Sequence, residues 1–379
     1  MHITLHLTNN CNMNCTYCYV DRNNITDMTL ETAKAAVDLA VSITPKDDSI
    51  GIVFFGGEAL LHKDLIYETV KYASSIEAKS GRYFHYKMTT NGLLLDDEFL
   101  EFSKNNNLFI AISMDGGHVA HDMHRIDILG EGTHSRIAEN AKKLLQTRPY
   151  APVLMTINPD TAFLYADSVK YLFNMGFRYI ICSLNYSAPW NDFDILELEK
   201  QYKILADYYF DLTMAEEKFY LSPFEVKLSS HINQKTYRHE RCELGKKQIS
   251  ISPDGLVYPC VQFVGDRQYS IGNVTTGIDE EIRETLYNRN EKEKDTCVDC
   301  AIRNRCNHYC GCLNKQSTGS MDKVSPVQCA HERLLIPIAD KLGEKLFKKR
   351  NAMFIQKHYN DFYPIISMVE DKTNSQEKK

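Results

Sequence analysis

The 379-residue chain lacks any apolar run approaching the roughly twenty residues a bilayer-spanning helix needs. It enters the apolar stretch His2–Leu7 at once, without the basic and then apolar regions of a secretory signal, so a cytoplasmic protein is expected. Charge of one sign is scarce as well. Lys and Arg number 44 against 50 Asp and Glu, a formal balance of −6. That gives no electrostatic reason to expect nucleic acid or an anionic membrane as partner. Disulfides are not expected in a reducing compartment, yet the chain carries twelve cysteines. Metal clusters account for them best, because three lie at 11–18, one at 182 and eight between 242 and 329.

At this length roughly two to three domains are expected. From residue 2 to about 215, short apolar runs alternate with amphipathic segments, as repeated βα units do. The pattern predicts strands near 3–7, 50–55, 83–89, 109–113, 152–157 and 179–183. Helices are predicted near 30–43, 63–79, 96–105, 134–146, 162–175 and 192–215, with Thr29 and Asp96 as N-caps and Gly176 as a stop. Six such units suit an α/β fold, a partial, open (β/α)6 TIM barrel, in which chemistry gathers at the C-terminal strand ends. Those ends carry Cys11–Cys18, Gly56-Gly57-Glu58, Thr89-Thr90-Asn91-Gly92, Ser113-Met114-Asp115-Gly116, Asn158 and Asn185. Residues 216–241 show no period, and 221–241 are expected as a connector. A helix and a polar tail are expected over 336–379, with Asp371–Lys379 disordered. Cys182, inside a strand, reads as a small buried hydrophobe.

In the first loop Cys11, Cys15 and Cys18 are spaced CxxxCxxC, with Tyr17 before the last. Structural zinc takes four closed ligands and a [4Fe–4S] cluster normally four thiolates. Three thiolates therefore leave either one iron open or, in a zinc knuckle, a ligand to be borrowed from afar. The spacing resembles the signature of the radical SAM superfamily, whose open iron is chelated by S-adenosylmethionine (SAM). In that resemblance Gly56, Gly57 and Glu58 correspond to the motif that holds the methionine ammonium. Ser113 matches a contact to ribose or carboxylate, and Arg125 an arginine pairing with the methionine carboxylate. Asn91, Asn158 and Asn185 are further candidates for polar contacts.

The second cysteine field begins at Cys242, then Gly255 and Cys260, then Cys297-x2-Cys300-x5-Cys306-x3-Cys310, and finally Cys329. A hairpin is predicted over 248–252 and 256–259, turned by Pro253-Asp254-Gly255. This field resembles the seven-cysteine SPASM motif, placing the small Cys-rich iron–sulfur domain at 242–335 and the radical SAM barrel at 1–220. The resemblance implies three [4Fe–4S] clusters, one binding SAM and two auxiliary. Cys297, Cys300, Cys306 and Cys329 would hold one auxiliary cluster, and Cys242, Cys260 and Cys310 the other. Some relatives supply a further cysteine where this chain has Gln248. Either Cys312 acts as the fourth ligand or that cluster keeps an iron open to a substrate thiolate, the reading the sequence favours.

The implied chemistry is reductive cleavage of SAM to a 5′-deoxyadenosyl radical, with hydrogen abstraction from a substrate. Electrons would come from a flavodoxin- or ferredoxin-like donor. Members of this group modify peptides or proteins. Sulfatase maturases oxidise a Cys or Ser to formylglycine, using an aspartate just after the cysteine of a Tyr-Pro-Cys segment as base. Here Tyr258-Pro259-Cys260 is followed by Val261, which takes no proton and leaves the base unassigned. That favours a ribosomal-peptide maturase forming a cross-link, a Cys thioether, on a Cys-containing peptide with a leader. No leader-recognition domain is expected before the first strand, so a separate recognition protein or the protein's own surfaces would serve. The basic run Lys345, Lys348, Lys349 and Arg350 is either a solvated helix face or a seat for an acidic leader. A non-catalytic iron–sulfur electron carrier remains the reading from another class.

Overall fold

The structure is a computed structural model describing residues 1–22, 25–233 and 243–377. Six βα units build its first half. Strands β1 (His2–His6), β2 (Ile50–Phe55), β3 (Phe84–Thr90), β4 (Leu108–Ser113), β5 (Pro152–Ile157) and β6 (Tyr179–Leu184) pair parallel in that order. Between them run α1 (Leu30–Ile43), α2 (Lys63–Ser80), α3 (Asp97–Asn105), the short α4 (His118–Asp122), α5 (His134–Thr147) and α6 (Tyr165–Met175). After β6 comes α7 (Asp192–Met214). The sheet stays open, as a partial barrel does.

Local chemistry explains the boundaries. The Thr29 hydroxyl accepts from the Thr32 amide at 3.1 Å and starts α1, whose Ala33, Ala36, Val37 and Ala40 form one buried stripe. Asp96 caps α3 by accepting from Phe99 N at 2.9 Å. Gly176, at φ 120°, ends α6 in a conformation that L side chains avoid.

Two expectations are corrected. The stretch read as a connector holds a seventh parallel strand, β7 (Tyr220–Leu221), and a helix, α8 (Ser222–Asn233). Its helical period is blurred because Glu225 and Lys227 are buried beside Phe224 and Leu228. The rest of the connector, with Cys242, lies outside the described residues. The polar tail is also largely helical. After α9 (Glu280–Glu291), α10 (Gly311–Thr318) and α11 (Pro326–Lys349) come α12 (Ala352–Tyr359) and α13 (Tyr363–Glu377). Asp371, expected to be disordered, accepts from the Tyr179 hydroxyl at 2.8 Å and pairs with Lys218. The basic run stays exposed at the end of α11, with Lys345 Nζ 3.8 Å from the Phe210 ring centre on α7.

The cysteine-rich half joins the same sheet. Strand β8 (Gln248–Ile251) pairs parallel with β1 on the edge opposite β2, from His2↔Gln248 to Leu5↔Ile251. β9 (Leu256–Tyr258) returns antiparallel, and β10 (Gly272–Asn273) and β11 (Gly277–Ile278) extend it, giving eleven strands in one sheet among the described residues. Helix α11 ties the halves from the other side. Lys227 Nζ of α8 pairs with Glu332 at 2.6 Å, both buried, and Arg305 grips Asp340 through two bonds of 2.8 and 2.6 Å. Among the described residues no helix is long and apolar enough to cross a membrane.

Candidate cofactor and cluster site

The loop after β1 carries Cys11, Cys15 and Cys18 to the C-terminal rim of the sheet, where all three line a cavity of about 410 Å³. Gly56, Gly57, Glu58, Asn91, Ser113, Arg125 and Asn185 line the same cavity. Two glycines fix the contact between this loop and the end of β2. The Gly57 and Glu58 amides donate to the Thr8 and Asn10 carbonyls at 2.8 and 2.9 Å. A Cβ at Gly56, where φ is +134°, would lie 2.3 Å from the Thr8 carbonyl oxygen, and one at Gly57 2.0 Å from that of Asn10.

Glu58 is placed otherwise than a freely presented carboxylate. One oxygen accepts from Leu60 N at 2.9 Å and the Thr90 hydroxyl at 2.8 Å, and the other from Asn91 N at 2.7 Å. Full burial raises its pKa in spite of those three donors. The side chain thus clasps the ends of β2 and β3. Asn91, so positioned, turns its Nδ2 to Asn12 Oδ1 at 2.8 Å and to Cys11 Sγ at 3.6 Å.

Arg125 is buried, its Nε 2.9 Å from Asp115 Oδ2 and its guanidinium carbon 5.4 Å from the Tyr17 ring centre. Burial works against its charge, but Asp115 outweighs this and keeps its pKa above the ordinary value. Tyr17 donates to the same Asp115 oxygen at 2.5 Å, and Asp115 Oδ1 accepts from Thr156 N at 2.9 Å. Asn158 and Asn185 meet through an amide–amide bond of 2.8 Å, leaving Asn158 Nδ2 buried without a partner.

These residues fit a cluster and an amino-acid-bearing nucleotide. Met13 N and Asn91 Nδ2 point at Cys11 Sγ at 3.4 and 3.6 Å, and Arg22 Nη2 at Cys18 Sγ at 3.5 Å, donors of the kind that tune cluster thiolates. Burial pushes the Cys11 thiol up to about 11 and raises that of Cys15, so a metal would be needed to make them thiolates near neutral pH. Among the described residues no three His, Cys, Asp or Glu side chains close on a single ion. A four-iron cluster instead takes one thiolate at each iron corner.

In the second half, Cys329 on the first turn of α11 interacts with Cys297 and Cys300, and Cys306 with Cys329. Cys260 follows β9, and Cys310 precedes α10. Cys312 is buried in the first turn of α10, two residues after Cys310. Cys242 lies outside the described residues. Cys182 is half-buried in β6, away from the cysteine clusters.

Several cavity residues went unread in the sequence. Tyr19, Arg22 and Tyr186 line it, and Gln262 and Gln316 reach it from the cysteine-rich half. Asp115 had been visible only as part of a turn. The two glutamines carry no local signal, because only the packing of β8 against β1 brings their segment to the rim.

Residues 5–162 match the family model described as the radical SAM superfamily, and residues 242–307 that of an iron–sulfur cluster-binding domain, SPASM. The chain is a radical SAM enzyme carrying a SPASM domain, a combination that implies iron–sulfur clusters and SAM. Among particular proteins, it is 26% identical over 298 residues to a cysteine-type anaerobic sulfatase-maturating enzyme of Clostridium novyi, spanning 75% of this chain and 78% of that one. A shorter match, 37% identical over 115 residues, covers 30% of this chain and 38% of an uncharacterised protein of Methanocaldococcus jannaschii. The fold is shared with a sulfatase-maturating enzyme solved with bound SAM, at TM-score 0.78 and 19% identity, covering 92% of this chain and 99% of that one. It is shared too with Streptococcus suis SuiB bound to its precursor peptide, at TM-score 0.60 and 13% identity, covering 86% and 75%.

Proposed function

We propose that this chain modifies a Cys-containing ribosomal peptide, joining the sulfur to a carbon as a thioether. Cys11, Cys15 and Cys18 would hold the SAM-binding cluster, and the SPASM cysteines two auxiliary ones. A cluster held there would supply the electron for reductive cleavage of SAM, and the radical so generated would take a hydrogen atom from the substrate. The protein's own part is positional. The nitrogens of Arg125 not turned to Asp115 would take the methionine carboxylate, while Ser113 and Asn91 flank the nucleotide. Asn158 Nδ2, with Asn185 and Gln316 beside it, offers amide groups to a peptide backbone entering over Tyr19.

One observation carries the choice of product. Among the described residues lining the cavity, Glu58 is the one carboxylate, and its oxygens already accept three hydrogen bonds. With Val261 where an aspartate would follow Cys260, no carboxylate lining this cavity is free to take a proton from a substrate thiol, and Asp160 in the adjoining cleft is paired with His124 Nε2 at 2.8 Å. The kinship to a sulfatase maturase favours the second reading, formylglycine formation. A leader peptide, a separate recognition protein and a flavodoxin- or ferredoxin-like donor belong to the same proposal.

Mass spectrometry after anaerobic incubation with SAM and reductant separates the two readings. The substrates would be a sulfatase-type peptide and a Cys-rich peptide encoded beside the gene. Loss of two hydrogens with sulfur retained is expected on the Cys-rich peptide. An aldehyde formed with loss of sulfur would replace the thioether reading with the maturase one.

A further inference from the structure

We propose that a groove on the barrel rim seats the stretch of substrate peptide adjoining the reacting residue, taking one apolar side chain and one Lys or Arg. The inference rests on the peptide-modifying reading above. The groove, of about 670 Å³, lies between the turn Pro159–Leu164 and the first two turns of α7. Phe163, Phe193 and Leu196 line it, with 54, 82 and 62% of their surface exposed. Single exposed apolar side chains are ordinary, but three on one groove mark a binding surface. Its walls are already joined. The buried Gln201 accepts from Ala166 N at 3.0 Å and donates to Glu197 Oε1 at 2.7 Å, tying the start of α6 to α7. Little ordering is left for binding to impose.

Position and charge decide the occupant. The groove shares Pro159 and Asp160 with a cleft of about 550 Å³, which in turn shares Cys18, Tyr19, Asn185 and Gln316 with the catalytic cavity. A chain anchored in the groove by one side chain therefore leads its neighbours along the cleft to the cluster loop. An extended peptide can follow that course, whereas the face of a second folded chain would close over the cleft. Among the described residues lining the groove, Asp160, Asp194 and Glu197 stand against Lys200, which is itself paired with Glu197 at 3.3 Å. Asp194 accepts from Asn191 N at 2.9 Å. Asp160 gives one oxygen to His124 Nε2 at 2.8 Å and keeps 58% of its side chain exposed, at the junction of groove and cleft. Thr16 Oγ1, 2.7 Å from His124 Nδ1, fixes that imidazole from the cluster loop. A peptide cation meets a held carboxylate there, and an acidic peptide is repelled.

The cluster-loaded full chain is tested by panning a phage-displayed library of random peptides. Recovered peptides are expected to combine an aromatic or aliphatic side chain with Lys or Arg. Labelled with fluorescein, they should bind the Phe193→Ser/Leu196→Ser protein about tenfold or more weakly by anisotropy. Asp160→Asn should weaken them about two- to fivefold, and that loss should vanish for the same peptides carrying Gln at the basic position. Iron content and melting temperature verify that each variant is folded. Peptides that bind the parent and the variants alike overturn the proposal, as does a selection that returns acidic peptides or none. A dimer in sedimentation that Phe193→Ser/Leu196→Ser dissolves gives the groove to a second copy and overturns it too. Product analysis reads the underlying function separately. Peptides seated in the groove, with no Cys peptide modified, end the maturase reading and keep the groove. A peptide modified with equal kcat/KM by the parent and by Phe193→Ser/Leu196→Ser ends the groove and keeps that reading.

Discussion

His121, five residues into the segment after β4's Asp115–Gly116 turn, holds Asp115 and Arg125 in register without touching the cavity. Its Nδ1 accepts from Asp115 N at 3.3 Å, and its Nε2 lies 3.1 Å from the Thr133 hydroxyl, which itself donates to Arg125 O at 2.6 Å. Those partners assign the proton to Nε2 and leave Nδ1 as an obligate acceptor. Protonating Nδ1 would aim two donors at each other inside a buried site. Burial, with the charge of Arg125 nearby, lowers the His121 pKa to about 2. The sign follows from linkage. Below its ordinary 6.5 the unfolded chain binds a proton that the folded chain refuses until about 2, so stability is lost as pH falls through that window and is flat above it. The loss is up to about 1.4 kcal/mol per pH unit for one proton. Melting temperatures of the cluster-loaded protein between pH 7.5 and 5 should therefore drop more steeply with His121 than with the non-titrating His121→Asn. Parallel pH curves would show that His121 is not held neutral. None of this was legible in the sequence, where nothing sets His121 apart from His118 and His124 beside it. The motif residues themselves were legible, because spacing within one loop survives folding, whereas the Asp115–Tyr17–Arg125 grouping joins three separate loops.

At the scale of elements, most of the barrel could be read and the joints could not. Strands such as Ile50–Phe55 and Pro152–Ile157 and the helix Leu30–Ile43 fall where their periods place them, because each buries a regular face. Helix α8 was missed for the opposite reason: its Lys227 points inward to Glu332 of α11, spoiling the stripe that marks a helix. The pair decides how α8 and α11 pack. Both side chains are almost wholly buried, and the ammonium also donates to Arg305 O at 3.0 Å. Glu332→Ala would strand a buried cation and is expected to cost about 3–5 kcal/mol. Lys227→Met combined with Glu332→Leu removes both charges and should recover most of that loss, since apolar groups of similar volume often replace buried ion pairs at little cost. Thermal unfolding of both variants, with iron content measured alongside, checks this. Equal destabilisation by the single and double changes would mean that the pair is not what joins the helices.

Across the whole molecule, the boundary between the two halves is covalent sequence rather than a break in structure. The hairpin β8–β9 was predicted, but as part of a separate domain, because period and spacing say nothing about which strand edge a hairpin will meet. Instead β8 covers the outer edge of β1, and its Ile249 and Ile251 are fully buried. A barrel cut after residue 233 would leave the N–H and C=O groups of β1 unpaired next to the cluster loop, and an open edge of this kind invites pairing with another chain. It would also remove Gln262 and Gln316 from the cavity rim. The fragment 1–233 is therefore expected to aggregate on size exclusion and to lose near-ultraviolet dichroism, with its first cluster poorly retained. A fragment ending at 263, which restores β8 and β9, should elute closer to a monomer although it still lacks α11. If 1–233 proved monodisperse, with native dichroism and a full complement of iron at Cys11, Cys15 and Cys18, the barrel would fold alone, and the β1–β8 contact would be a docking surface between independent units rather than part of one sheet.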